Sequence, residues 1–154
     1  MIVEKNGLAN AYTLEELATK IWEVSDSAYD TGAPWTIQQF IHDLENVNAF
    51  YLIALSEDKI VGFISYSYVL DEAEITNFAV QAQFKGQGLG KKLMKKLIER
   101  LQTQGVNQVF LEVRKSNKIA QNIYESYSFQ PISVRKKYYQ YPEEDALIMR
   151  LEWQ

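Results

Sequence analysis

The sequence predicts an α/β domain on a mixed sheet of about six or seven strands flanked by about four helices. Three observations predict it. Two capping-box sequences, each followed by an apolar stripe at helical spacing, stand near the start. Three β-branched and aromatic runs follow in close succession. After a glycine-dense loop the period switches from helix to strand and back, the pattern of a parallel crossover.

Met1–Val3 begins a strand. Thr13-Leu-Glu-Glu16 is a capping box, with Thr13 placed to accept from a backbone N–H. Leu14, Leu17, Ala18, Ile21 and Trp22 then recur on one helical face. Thr36-Ile-Gln-Gln39 repeats the signal, and Phe40, Ile41 and Leu44 form its stripe; His42 sits on the helix surface. Phe50–Ser56 and Ile60–Val69 read as a hairpin around Glu57-Asp58-Lys59, and Ala73–Val80 as the third strand of the meander. Leu89, Leu93, Leu97, Ile98 and Leu101 mark a helix that Gly105 stops in the left-handed conformation. Val106–Val113 is a strand with Val109, Leu111 and Val113 on one face and Phe110 and Glu112 on the other. Ser116 or Asn117 caps a last helix carrying Ile119, Ala120, Ile123, Tyr124 and Tyr127. Phe129–Tyr141 and Ala146–Glu152 close the sheet as an antiparallel pair. The three prolines fall in loops or strand starts, and nothing resembles an interdomain linker.

Composition excludes several function classes. A chain of 154 residues suits a single domain, residues 1–154. At that size a globule hides roughly 70% of its unfolded surface and needs no staples. With no Cys, there are no disulfides, Cys-ligated zinc, iron–sulfur clusters or Cys-acyl intermediates. With one His, a His-pair metal site is excluded, so no metal is expected. A net charge of −4 argues against nucleic-acid binding. No apolar run is long enough to span a membrane, and a basic-then-apolar leader is absent. The expectation is a soluble, cytoplasmic protein.

The glycine loop, Lys85-Gly-Gln-Gly-Leu-Gly90, carries the first chemistry. Glycines at 86, 88 and 90 leave backbone N–H groups unobstructed, and the next helix aims its orphan N–H groups and positive dipole end at the same point. That is an anion site suited to phosphate. It is not a Walker loop, because Lys85 and Lys92 stand where Gly and Ser or Thr are needed. Nor is it a dinucleotide fingerprint, because Lys91 occupies the third glycine position. A ligand-free turn is the alternative for this loop taken by itself.

Around the loop stand Ile75-Thr-Asn-Phe-Ala-Val80, Leu111-Glu-Val-Arg114, Ser116-Asn117 and Ile123-Tyr-Glu125, in this order. With these residues the chain resembles the GNAT superfamily of acetyl-CoA-dependent N-acetyltransferases over nearly its whole length. A narrower resemblance, to the bacterial ribosomal-protein alanine N-acetyltransferases, rests on Pro34-Trp-Thr36 with Phe40, and on Arg135-Lys-Lys-Tyr-Tyr139 followed by Glu144-Asp-Ala-Leu-Ile-Met149. The resemblance implies a GNAT-like, mostly antiparallel sheet. It implies acetyl-CoA as cosubstrate and the N-terminal alanine of a ribosomal protein as acceptor. In the cofactor site it places the main chain of Phe78, Ala79 and Val80 at a bulged strand. There too it places Lys85, Gly86, Gln87, Gly88, Leu89, Gly90 and Lys91 on the pyrophosphate, with Asn117 and Tyr124 also on the cofactor. Glu112 matches the family's proton acceptor and Tyr124 its proton donor. Ser128 departs from the family's glycine and puts a serine at a left-handed cap.

These residue types suit acyl transfer to an amine. An α-amino group has an ordinary pKa of about 8, against about 10.4 for lysine, so a carboxylate takes its proton more readily, directly or through one water. Glu112, opposite the aliphatic set, can reach a cleft while its neighbours fill the core. A phenol such as Tyr124 can donate to sulfur as the C–S bond breaks. A backbone N–H between Phe78 and Val80 is the natural oxyanion donor. Trp35, Tyr138 and Tyr139 could wall a peptide groove. Each residue also has an ordinary structural reading: a strand-surface glutamate, a core tyrosine, sheet-packing aromatics. Two rival functions remain open at this point: an acetyltransferase acting on a small-molecule amine or a lysine side chain, and a non-catalytic acetyl-CoA-binding module.

Overall fold

The structure is a computed structural model that describes residues 1–30 and 32–153. Seven strands form one sheet in the order β1–β2–β3–β4–β5–β7–β6. They are β1 (Ile2–Glu4), β2 (Phe50–Ser56), β3 (Lys59–Val69), β4 (Glu72–Val80), β5 (Gln108–Arg114), β6 (Gln130–Tyr139) and β7 (Glu144–Glu152). The helices are α1 (Leu14–Ala28), α2 (Ile37–Glu45), α3 (Leu89–Thr103) and α4 (Lys118–Ser126). The parallel step falls where the crossover predicts it, with β4 pairing β5 from Glu72↔Gln108 to Glu74↔Phe110. The pairs β1–β2, β2–β3, β5–β7 and β6–β7 are antiparallel.

The chain divides into two compact units, Met1–Ser67 with Thr76–Arg100, and Tyr68–Ile75 with Leu101–Gln154. In the first unit both capping boxes form. Thr13 accepts from Glu16 N–H and the Glu16 carboxylate accepts from Thr13 N–H; Thr36 and Gln39 repeat the exchange. The helical stripes then bury Leu17, Ala18, Ile21, Phe40 and Leu44 against Tyr51, Ile53 and Phe63. Phe40 meets Phe63 edge-on at 5.9 Å and Tyr51 stacks on Phe63 at 6.1 Å, arrangements that aromatic quadrupoles favour. The Tyr51 hydroxyl donates to Asp43 at 2.6 Å, so the buried phenol is satisfied. The β2–β3 hairpin turns through Glu57 and Asp58, both at positive φ.

In the second unit β5 buries Val109, Leu111 and Val113 while Phe110 and Glu112 stay half-exposed, as alternation requires. Gly105, at φ +78°, ends α3 in a Schellman motif: its N–H reaches Gln102 O and Val106 N–H reaches Leu101 O. Ser128 does the same for α4 at φ +76°, with Ser128 N–H on Glu125 O and Phe129 N–H on Tyr124 O. Of the stripe expected on α4, Ala120, Tyr124 and Tyr127 are half-buried. Ile119 is 75% and Ile123 46% exposed, and the buried member of that helix is Gln121. The reason is specific: the Gln121 amide is spent holding the carbonyls of Arg114 and Lys115 at 3.1 and 2.9 Å, which turns that face inward.

Because a left-handed serine costs backbone energy that glycine avoids, Ser128→Gly is expected to raise stability by about 0.5–1 kcal/mol. Urea unfolding followed by circular dichroism checks this, and an unchanged or lowered midpoint contradicts it.

Candidate active site

In the first unit, Gly86 and Gly88 both hold positive φ, +82° and +79°, and α3 begins at Leu89. The first helical bond runs from Lys92 N–H to Gly88 O. The amides of Leu89, Gly90 and Lys91 therefore have no partner within the helix, and glycine at the cap offers no side chain to them. They stand at the positive end of a 15-residue helix. A Cβ on Gly86 or Gly88 would meet nothing within 4 Å, so glycine is needed there for backbone conformation, not for space.

Two long-range bonds fix this loop and the end of β4. The Lys85 Nζ donates to Ala28 O at 2.7 Å, and the Lys85 N–H turns back to Ala82 O. The Lys85 side chain is thus a strut between the loop and the C-terminal turn of α1. Tyr29, the residue after α1, donates its hydroxyl to Phe78 O at 2.7 Å. Burial pushes the Tyr29 phenol up to about 12, so it stays protonated and keeps donating. Phe78 and Val80 are half-buried and Ala79 is buried. Asn77, beside Phe78, is buried and its amide nitrogen has no hydrogen-bond partner. Trp35 packs on Phe40 at 5.2 Å and lines an open cleft of about 520 Å³ with Trp22, Asp26, Pro34 and Thr36.

The second unit gathers Glu112, Tyr138 and Tyr139, and adds Arg135, Arg114 and Glu74, to which the sequence reading gave no role. The Arg135 Nη1 donates to Glu112 Oε1 at 2.8 Å. The Arg135 guanidinium lies 4.1 Å over the Tyr138 ring, Tyr138 meets Tyr139 edge-on at 5.0 Å, and Arg114 lies 4.4 Å over Tyr139. Two adjoining rings are thus flanked by two cations along one row, each cation on a ring face. The row ends in carboxylates, since Arg114 also bonds Glu144 at 3.3 Å. Hydrogen bonds from Ser116 hold the Glu144 carboxyl below its ordinary range, with Arg114 assisting. A hydrogen bond to Glu112 raises the Tyr138 phenol, followed by burial. Glu74 is raised by desolvation first and by the Glu112 charge second, while Arg135 pulls it down. Asn117 caps α4, its Oδ1 accepting from Ala120 N–H at 3.0 Å, which leaves its amide N–H groups as donors. Tyr124 is half-buried and packs edge-on against Phe129 at 5.8 Å.

Glu112 is therefore brought together with Tyr138, and Tyr138 with Tyr139, while Trp35 belongs to the first unit. A signal for Arg135 was present in the Arg135-Lys-Lys-Tyr-Tyr139 stretch, but its partner lies 23 residues away. Among the described residues no three His, Cys, Asp or Glu side chains gather as a metal site. No helix there is long and apolar enough to cross a membrane.

An amide-lined helix end follows β4, and β5, the next strand and parallel to it, carries a half-buried carboxylate. Residues 11–129 match the Acetyltransferase (GNAT) family, and the chain belongs to that family, whose members are acetyl-CoA-dependent N-acetyltransferases. It is 38% identical over 143 residues to the ribosomal protein bS18-alanine N-acetyltransferase of Haemophilus ducreyi, covering 90% of this chain and 95% of that one. It is 36% identical over 132 residues to the enzyme of that name from Salmonella typhimurium, covering 84% and 87%. The crystal structure of the ribosomal-protein-S18-alanine N-acetyltransferase from Escherichia coli superposes with a TM-score of 0.79 at 30% identity, over 99% of this chain and 94% of the other.

The helix-end amides fit a diphosphate, since they supply several N–H donors and a positive dipole end without a competing side chain. Gly88→Ala would impose about 1–2 kcal/mol of left-handed strain. The expected result is acetyl-CoA binding weakened about 5- to 30-fold in isothermal titration calorimetry. Wild-type affinity would show that the loop does not carry the ligand.

Proposed function

We propose that this chain acetylates the N-terminal alanine of a ribosomal protein of the bS18 type, working in the cytoplasm as one catalytic domain over residues 1–154. The observation that carries the reading is the likeness, over most of the chain, to relatives named for that activity.

The cosubstrate supplies an acetyl thioester. The amides of Gly86–Lys91 bind its diphosphate, and Asn117 gives it a side-chain hydrogen bond. A main-chain N–H between Phe78 and Val80 faces the oxygen that gains charge, where a fixed donor in a dry site is worth most. Glu112 accepts the proton of the incoming α-ammonium, directly or through one water. The freed amine forms the N–C bond as the C–S bond breaks, Tyr124 gives its hydroxyl proton to the departing sulfur, and the second proton, shed by the nitrogen as it becomes an amide, restores the phenol. The acetyl group passes straight to the amine, with no residue of the chain acylated. The half-buried Glu112 suits this part, since burial with fixed donors holds a carboxylate where the proton must arrive. Trp35, Tyr138 and Tyr139 contact the peptide.

Mass spectrometry of an alanine-initiated bS18 peptide, against a lysine-bearing peptide with a blocked N-terminus, tests the acceptor. Acetylation confined to the alanine amine is expected; preferential acetylation of lysine contradicts it, and tight acetyl-CoA binding without turnover points to a binding module. In the same assay Glu112→Gln and Tyr124→Phe are each expected to lower kcat by roughly 10²- to 10⁴-fold with the fold retained. Wild-type turnover in either variant removes the role given to that residue.

A further inference from the structure

Arg135 forms an ion pair with Glu112 at 2.8 Å. The guanidinium is 55% exposed and the carboxylate only 19%, so the arginine reaches in from the solvent edge to a more buried anion. Strand register explains the reach. Arg135 on β6 pairs with Ala146 on β7, and Ala146 pairs with Arg114 on β5, two residues from Glu112 on the same face. The strand between them presents only a methyl group at that rung. Stacking on Tyr138 at 4.1 Å restricts the arginine's long side chain before it meets the carboxylate. Glu112 also raises the Tyr138 phenol, so two side chains of one strand converge on one acid. Glu74 faces the same acid from β4 with a like charge, and Arg135 is the cation that both carboxylates feel.

We propose that Arg135 is a positioning residue for acetyl transfer: braced on Tyr138, its guanidinium holds the Glu112 carboxylate aimed for proton acceptance. The proposal rests on the reading of Glu112 as the acceptor. It differs from a simple tie between strands, because a tie would act on stability and not through Glu112. Removing the cation frees the carboxylate torsion and leaves two anions, Glu74 and Glu112, facing each other. Misplacement of a catalytic group on this scale acts on kcat, whereas acetyl-CoA binding is made by other residues.

The experiment is steady-state kinetics with the alanine-initiated peptide on Arg135→Gln, Arg135→Met, Arg135→Lys, Glu112→Gln and the double variant Glu112→Gln/Arg135→Gln. Circular dichroism confirms folding of each. Arg135→Met keeps an apolar stem against Tyr138 and removes only the charge, so it serves if the glutamine variant does not fold. Loss of the cation is expected to lower kcat about tenfold and leave KM for acetyl-CoA within about twofold. Arg135→Lys recovers most of the loss. In the double variant, turnover is no slower than in Glu112→Gln alone, because groups acting as a unit are not additive. Wild-type kcat without the cation, a lysine variant as slow as the glutamine variant, or losses that multiply in the double variant would each overturn the proposal. Wild-type turnover in Glu112→Gln by itself would instead remove the acceptor reading on which it rests.

Discussion

Three backbone amides without partners set the terms for this protein. Leu89, Gly90 and Lys91 open α3, and nothing in the helix can satisfy their N–H groups. Most helices answer that need with a Ser, Thr, Asp or Asn at the cap, as α1, α2 and α4 do through Thr13, Thr36 and Asn117. At α3 the chain places Gly88 instead, at φ +79°, with Gly86 at +82° two residues earlier. No capping side chain competes for these donors, and a helix N-terminus of this kind favours an anionic ligand. The struts around the loop follow from the same need. A cradle made of backbone binds only where the backbone is held, and Lys85 on Ala28 O with Tyr29 on Phe78 O hold it.

The charged row in the second unit solves a different problem. A carboxylate that is to accept a proton must be held in one direction, toward the place where the proton arrives. Arg135, stacked on Tyr138, donates to Glu112 and fixes its direction. Arg114, stacked on Tyr139, repeats the arrangement with Glu144. The tyrosines act as supports for the cations as well as contact surface. That explains why arginines and tyrosines cluster at the β6–β7 end more than packing requires.

Local signals in the sequence were readable because they are closed within a few residues. Thr13 with Glu16, Thr36 with Gln39, Gly105 after α3 and the left-handed Ser128 after α4 all stand as the letters imply. So do the alternation of β5 and the parallel step from β4 to β5. On α4, Ile119 and Ile123 have helical spacing yet stay exposed, while Gln121 is drawn inward by carbonyls just after and at the end of β5. The struts and the ion pair were hidden because their partners lie far apart in the chain. Lys85 meets Ala28 across 57 positions, Tyr29 meets Phe78 across 49, and Arg135 meets Glu112 across 23. No periodicity encodes such pairs. They exist only once the strands have chosen their register.

The most direct test is a crystal structure of the protein soaked with acetyl-CoA. The account predicts diphosphate oxygens within hydrogen-bond distance of the amides of Leu89, Gly90 and Lys91, with the thioester reaching the Tyr124 hydroxyl. A diphosphate bound elsewhere, with those amides left to solvent, would contradict it.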